Sequence, residues 1–273
     1  MSTHFHSPPI GLGFLLENGA LYLGSALGTT THVAHAYKIY IAIHGQFDLL
    51  LAGSRRWKSL NAVVIAPDRP HKIIGDTAIV ALVYLVPETP EGYRISRYYS
   101  KLDAFVPPQD HVATLLSRLR KIWEQSCSRE EASLVSSSIC SNVLPTPRIN
   151  MSFDRRVVSA IEYLEEQLGR RVSIAELSAT VALSPSRFEH LFSKEVGIPV
   201  SRYLLWARLR KALGMIPLGK SLTEVAYAAG FADSAHLSRT FRRMLGIAPS
   251  SILKHIAIET PRCDVAGGND LTR

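Results

Sequence analysis

Two stretches of this chain are copies of one another, and such an internal repeat constrains the fold more tightly than any single motif. Ser173-Ile174-Ala175-Glu176-Leu177-Ser178-Ala179-Thr180-Val181-Ala182-Leu183 aligns with Ser221-Leu222-Thr223-Glu224-Val225-Ala226-Tyr227-Ala228-Ala229-Gly230-Phe231, offset by 48 residues. Past a turn, and with one residue inserted, Phe188-Glu189-His190-Leu191-Phe192 and Gly197-Ile198-Pro199 match Leu237-Ser238-Arg239-Thr240-Phe241 and Gly246-Ile247-Ala248-Pro249, offset by 49. A supersecondary unit that occurs twice must bury its apolar face in the same way twice, so both copies are read together.

Each copy has the local chemistry of a helix-turn-helix. Ser173 with Glu176, and Ser221 with Glu224, have the spacing of a capping box at a helix start. Ser178 and Ala226 are small enough for two helices to cross closely. Gly230 suits the left-handed conformation of a sharp turn, whereas Ala182 in the first copy would lose about 1 kcal/mol by adopting it. Ser184-Pro185 starts the next helix. Phe188, Leu191 and Phe192 face inward in one copy, and Leu237, Phe241 and Leu245 in the other. The opposite faces then carry Ser186, Arg187, Glu189, His190 and Lys194, and Ser234, Ala235, His236, Arg239, Arg242 and Arg243.

Arginine binds guanine edges bidentately or holds phosphates, whereas glutamate accepts only from base amino groups and otherwise repels the backbone. Arg239 is the residue expected to read a base. Solvated faces of plain helical hairpins are the alternative, and two matched copies argue against it. The charge distribution agrees. Of the net +8, residues 153–257 hold 15 Lys/Arg against 9 Asp/Glu, a net +6. A concentrated basic excess attracts a polyanion through counterion release.

Between the copies, Pro199 starts a helix running towards Gly214. About sixteen residues at 1.5 Å each span roughly 24 Å. With the flanking units added, the recognition helices approach the ~34 Å of one DNA turn, which would let them enter successive major grooves.

These segments resemble the AraC/XylS family of bacterial regulators over about Phe153 to Lys254. The resemblance is carried by Ile174-Ala175-Glu176-Leu177-Ser178, Leu183-Ser184-Pro185-Ser186-Arg187-Phe188 with Phe192, Ala226-Tyr227-Ala228-Ala229-Gly230-Phe231, and His236-Leu237-Ser238-Arg239-Thr240-Phe241 leading to Gly246-Ile247-Ala248-Pro249. It implies two helix-turn-helix subdomains joined by a linker helix, bound to promoter DNA and usually activating transcription through contact with RNA polymerase. One departure is Ala212-Leu213-Gly214-Met215-Ile216-Pro217-Leu218, which interrupts a stretch that is usually more continuously helical.

At 273 residues the chain should hold two domains. The expected class is α+β: a cupin-like β-barrel sensing domain (1–100), a helical dimerisation or packing segment (101–144), a linker (145–152), an all-α double helix-turn-helix domain (153–257) and a loose tail (258–273). Strands are read from 38–43, 47–51, 62–65 and 78–84, separated by Gly and Asp, which favours a small barrel or sandwich. Pro145 and Pro147 mark the linker, and Asp154 caps a helix whose face is Val157, Val158, Ile161, Leu164 and Leu168.

The match of the strand-rich half to a cupin-type sensing domain rests on the strand pattern and on Pro67-Asp68-Arg69-Pro70-His71. His32, His35, Tyr40, His71 and Tyr84 are its candidate effector contacts. The competing reading, an enzyme with His32, His35, His44, His71 and Glu88 around a metal, is disfavoured: His32 and His35 are three apart and would sit on opposite faces of a strand. No cofactor, metal or catalytic residue is expected. A helix over 109–125 has Leu115, Leu116, Leu119 and Ile122 on one face, for packing onto its own barrel or for pairing in a homodimer. A further helix covers 129–143.

Cys127, Cys140 and Cys263 lack metal-ligand spacing and read as reduced thiols. They are also too scattered for alkyl-transfer repair chemistry, which leaves an enzyme fused to a DNA anchor, or a co-regulator that binds protein alone, as the weaker classes. No apolar run approaches the ~18 residues that span a bilayer and no signal peptide is legible, so the expected location is the cytoplasm, with no membrane partner.

Overall fold

The computed structural model describes residues 11–259 except 17, 100, 101, 126, 144–152 and 171. The linker prolines, His4 and His6, Cys263 and the Gly267-Gly268-Asn269 stretch lie outside the described residues.

Among the described residues, seven strands come first: β1 (Gly11–Leu16), β2 (Gly19–Ala26), β3 (Tyr37–His44), β4 (Phe47–Leu51), β5 (Lys58–Leu60), β6 (Ala62–Ile65) and β7 (His71–Leu85). The 15-residue β7 is the spine. Its later half pairs antiparallel with both β2 and β3, while His71–Ile74 pair with β4. Register shifts at Ser25/Ala26 and Ala42/His44 mark where the partners of β7 bend; extra residues of this kind increase local twist and curl a sheet. The expected barrel or sandwich is therefore a curled half-barrel.

Both faces of this sheet are covered, which explains why its central strand reads as a continuous apolar run. On β3, Tyr37, Ile39, Ile41 and Ile43 join a core shared with the helices that follow, while Tyr40 and Ala42 join one on the concave side. Those helices are α1 (Pro90–Tyr99), α2 (Gln109–Gln125) and α3 (Arg129–Val143), with the short β8 (Ala104–Phe105) between α1 and α2. The bounds of α2 and α3 are those expected from periodicity. In α2, Leu115, Leu119 and Ile122 are buried in the chain's own core and Leu116 packs against it. Of the two readings of this helix, packing onto its own barrel is the one in which Leu115, Leu119 and Ile122 take part, with Leu116 half-buried beside them.

The C-terminal half is α4 (Arg155–Glu166), α5 (Ile174–Thr180), α6 (Pro185–Val196), α7 (Val200–Met215), a 3-10 turn over Ile216–Leu218, α8 (Leu222–Ala228), α9 (Ser234–Leu245) and α10 (Pro249–His255), ending in β9 (Ile256–Glu259). Asp154 caps α4, accepting from the Arg156 N–H. Val157, Leu164 and Leu168 are buried as expected, but Val158 is 38% exposed; it lies just outside the arc that α5 and α6 cover. The interrupted end of α7 is real. The helix stops at Met215, and Gly219 ends the 3-10 turn at φ 72°. β9 takes in Ile258 and Glu259, the first residues of the expected tail, because it pairs parallel with β1.

Candidate nucleic-acid interface

The two helix-turn-helix units superimpose in their local chemistry, with one difference. Ser221 accepts from the Glu224 N–H while Glu224 receives the Ser221 N–H at 2.8 Å, a complete capping box. Ser173 likewise accepts from the Glu176 N–H at 3.1 Å. Glu176, however, turns away to take the Tyr163 hydroxyl at 2.6 Å and the Arg170 guanidinium. The first box is thus half formed, its carboxylate diverted to tie α5 to the end of α4. Arg170 and Tyr163 hold that carboxyl down to about 2.

The turns match. Leu183 N–H donates to Ser178 O at 3.0 Å and Phe231 N–H to Ala226 O at 2.8 Å, the long-reach bond that closes a left-handed helix end. The left-handed residue is Ala182, at φ 54°, in the first unit and Gly230, at φ 81°, in the second. Ser178 and Ala226 are fully buried at the crossing. Phe188, Phe192, Leu237 and Phe241 are buried, Leu245 nearly so, and Leu191 is half-buried.

Because those residues point inward, the other face of each recognition helix meets solvent. Ser186, Arg187, Glu189, His190 and Lys194 are exposed on or beside α6. On α9, Ala235, Arg239, Arg242 and Arg243 are exposed, and Ser234 and His236 are half-exposed. Asp233 caps α9 through the His236 N–H at 2.6 Å, which anchors the N-terminal end of the helix beside Ser234, Ala235 and His236. The three arginines sit at positions i, i+3 and i+4 and so form one cationic stripe along α9.

The three buried histidines among the described residues separate into two clusters. His35 Nδ1 lies 2.8 Å from Asp68 Oδ2 and its Nε2 lies 2.6 Å from Glu88 Oε1. Burial alone would lower the pKa of His35; the two carboxylates outweigh it and raise the imidazole to about 9. Arg202 of α7 reaches the other oxygen of Asp68 at 3.4 Å.

His32 and His71 face each other across a strand bridge with ring centroids 4.3 Å apart. Each Nδ1 meets a carbonyl, Thr30 O at 2.9 Å and Arg69 O at 2.7 Å, and must donate to it. The Nε2 of His71 then accepts from the buried Lys38 ammonium or amine at 3.1 Å. Burial first, and Lys38 second, push His32 down to about 3 and His71 to about 2. Burial likewise lowers Lys38 well below its ordinary range. His44 is exposed. The five groups suggested for a metal therefore do not converge, since His35 spends both nitrogens on carboxylates and His32 and His71 lie in a separate cluster.

A cavity of about 250 Å³ opens between the concave face of the sheet and the C-terminal half. Tyr40 and Tyr84, two of the expected effector contacts, line it; His32, His35 and His71 do not. Its other walls are apolar residues of β1 and β2, Leu245 at the end of α9, Ile252 of α10, Ile256 of β9, and Trp206 and Arg210 of α7. The Nε1 of Trp206 and the Nε of Arg210 are buried with no hydrogen-bond partner. Arg210 does pair with Glu165 through a terminal nitrogen. Sequence reasoning missed both: on α7 they fall within a run of apolar and basic residues without an amphipathic signature, and only the fold brings the sheet over them.

A helix-turn-helix domain family model matches residues 177–255. The probable transcriptional regulator LumQ of Photobacterium leiognathi is 36% identical over 127 residues, 43% of this chain and 51% of that protein. The HTH-type transcriptional activator RhaS of Escherichia fergusonii is 34% identical over 100 residues, 36% of each. The chain thus spans about half or less of the curated relatives it matches. Crystal structures of ToxT from Vibrio cholerae share the fold over nearly the whole length. The apo form has a TM-score of 0.58 at 13% identity, covering 90% of this chain and 97% of that one. A form crystallised with an unsaturated fatty acid has a TM-score of 0.54 at 13% identity, covering 94% and 100%.

Proposed function

We propose, from the premise that residues 177–255 form an AraC-type helix-turn-helix domain, that this protein is a sequence-specific DNA-binding transcription regulator. The observation that carries the reading is the outward, cationic face of α9, with Arg239, Arg242 and Arg243 exposed beside a matched, solvent-facing α6. Arg239 reads a base edge and Arg242 and Arg243 hold phosphates. α7, roughly 24 Å long, spaces the units for successive major grooves. The RhaS relative is an activator, and activation through RNA polymerase is the corresponding reading here.

The N-terminal half senses an effector in the cavity between sheet and α7. Apolar walls and two unmet N–H donors suit a molecule with a hydrocarbon body and an acceptor head such as a carboxylate. The fold-mate ToxT has been crystallised with an unsaturated fatty acid, a ligand of that chemistry. A homodimer of this chain uses the outer faces of α2 and α3, because their inner faces are core.

Selection of bound duplexes from random sequence, followed by footprinting, tests the regulator reading. It expects an enriched motif with two protected half-sites about one helical turn apart. No enriched sequence, or one half-site only, would remove it.

A further inference from the structure

Two hydrophobic cores of different ownership meet along α7, one taking Val200, Tyr203 and Ala207 and the other Trp206, Leu209 and Ala212. Among the described residues, the core of the first helix-turn-helix unit draws only on residues 157–207. The core of the second unit contains Ala34 and Ala36 from the loop between β2 and β3, and Tyr84, Ile256 and Ile258 pack against it. The second unit is therefore cored jointly with the N-terminal sheet.

Backbone bonds reinforce the union. A helix leaves its last carbonyls without intrahelical partners, and at the end of α9 the β2–β3 loop supplies them. Val33 N–H donates to Arg243 O at 2.8 Å, and Thr30 gives both its N–H and its hydroxyl to Gly246 O at 3.1 and 3.2 Å. Directly after α10, β9 adds in parallel to β1, with Gly11–Phe14 opposite Ile256–Glu259. Gly13 makes the room. A Cβ there would come 3.1 Å from Ile256 Cγ2 and 3.4 Å from Ile258 Cγ1. Ala257, between the two isoleucines, faces solvent.

Among the described residues the first unit is tied by no shared strand and no loop capping a helix end. It meets the N-terminal half through the Arg202–Asp68 pair at 3.4 Å, whose arginine is about half exposed, through the Tyr93–Phe153 and His35–Tyr203 ring contacts at 5.1 and 6.4 Å, and across a small cleft in which the end of α6 faces Pro87, Glu88, Tyr93 and Ser96. Exposed ion pairs of this kind hold little.

We propose that β9 and the β2–β3 loop form a latch that makes the second helix-turn-helix unit part of the N-terminal body, so that the N-terminal half sets the orientation of α9 and leaves α6 free of that control. The cavity fits this division. Its C-terminal walls are α7 and the second unit, through Leu245, Ile247 and Ile256, and it touches nothing of α4, α5 or α6. A molecule bound there acts on DNA through α9. The consequence for DNA rests on the regulator reading above; the latch itself does not.

Two variants of the full chain test the latch. Gly13→Val drives a branched side chain into the space of Ile256 and Ile258, and Ala257→Pro breaks the strand at an exposed position where no packing is lost. Hydrogen exchange is followed by mass spectrometry without DNA. Hydroxyl-radical footprints are taken on the duplex that the wild type selects, and the half-site of α9 is the one whose protection Arg239→Ala removes. Both variants should speed exchange over 243–259 at least tenfold while leaving 185–200 within twofold. They should cut protection at the α9 half-site at least fivefold and leave the other within twofold. Exchange unchanged over 243–259, equally faster exchange in both units, or equal loss at both half-sites would each overturn the latch. A wild type that selects no duplex would count against the regulator reading, with the exchange result still deciding the latch.

Discussion

His35 Nε2 lies 2.6 Å from Glu88 Oε1 in a site where the two side chains are 3% and 8% exposed. Asp68 holds the other ring nitrogen, so the imidazolium is clamped from both sides. Its pKa rises from the ordinary 6.5 to about 9. A group whose folded-state pKa is raised stabilises fully below its unfolded value, and that contribution is lost as pH rises through the folded one. His35→Gln should therefore cost on the order of 3 kcal/mol at pH 6. The gap to wild type should close towards pH 10. Urea unfolding at the two pH values measures it, and a gap independent of pH would mean that the imidazole is not charged in the fold.

Arg239 and Arg242 sit on the same exposed stripe of α9 but should behave differently on DNA. Arg239→Ala should weaken binding to the selected duplex by about 1–3 kcal/mol and relax base preference at one position. Arg242→Ala should weaken all duplexes nearly equally and lower the salt slope by about 1. Titrations at several salt concentrations on matched and scrambled duplexes check both; unchanged binding in both variants would refute the groove assignment.

The two turns predict opposite effects of the same exchange. Ala182 sits at φ 54° with its side chain exposed, so Ala182→Gly should raise stability by about 1 kcal/mol. Gly230 sits at φ 81°, and a Cβ there would lie 2.4 Å from Leu168 O. Gly230→Ala should cost about 2–3 kcal/mol, since the strain of the conformation adds to a clash with backbone. Equal and small effects in denaturant titrations would contradict the geometry of the turns.

Trp206 separates ligand recognition from packing. Its Nε1 is buried without an acceptor, so Trp206→Phe removes an unmet donor and should leave the stability of the ligand-free protein within about 1 kcal/mol of wild type. Trp206→Ala, which empties a well-packed site, should lose about 3–5 kcal/mol. Dodecanoate is expected to raise the melting temperature of the wild type and to raise it less in Trp206→Phe. An equal rise in both would detach Trp206 from the effector head.

Much of the C-terminal half was legible from local rules. Capping serines, the glycine turn, inward aromatics and outward arginines each depend on neighbours within a turn or two, and the repeat let one copy check the other. α2 and α3 were legible because their apolar residues recur at helical spacing. What escaped is non-local. Glu176 leaves its capping box because Arg170 and Tyr163 stand beside it, and Val158 is exposed because nothing crosses over it. Lys38 lies inside an apolar strand with no sequence sign that His71 accepts a hydrogen bond from it.

By itself the chain's residue order determined a duplicated helical scaffold and the side chains each copy turns outward, since periodicity and capping act between near neighbours. Only the tertiary structure decided that the sheet curls into a half-barrel, that β9 returns to β1, and that Trp206 and Arg210 face a cavity. Those contacts join residues from about 25 to 245 positions apart, and their stability comes from buried area and backbone bonds that exist only once distant segments meet.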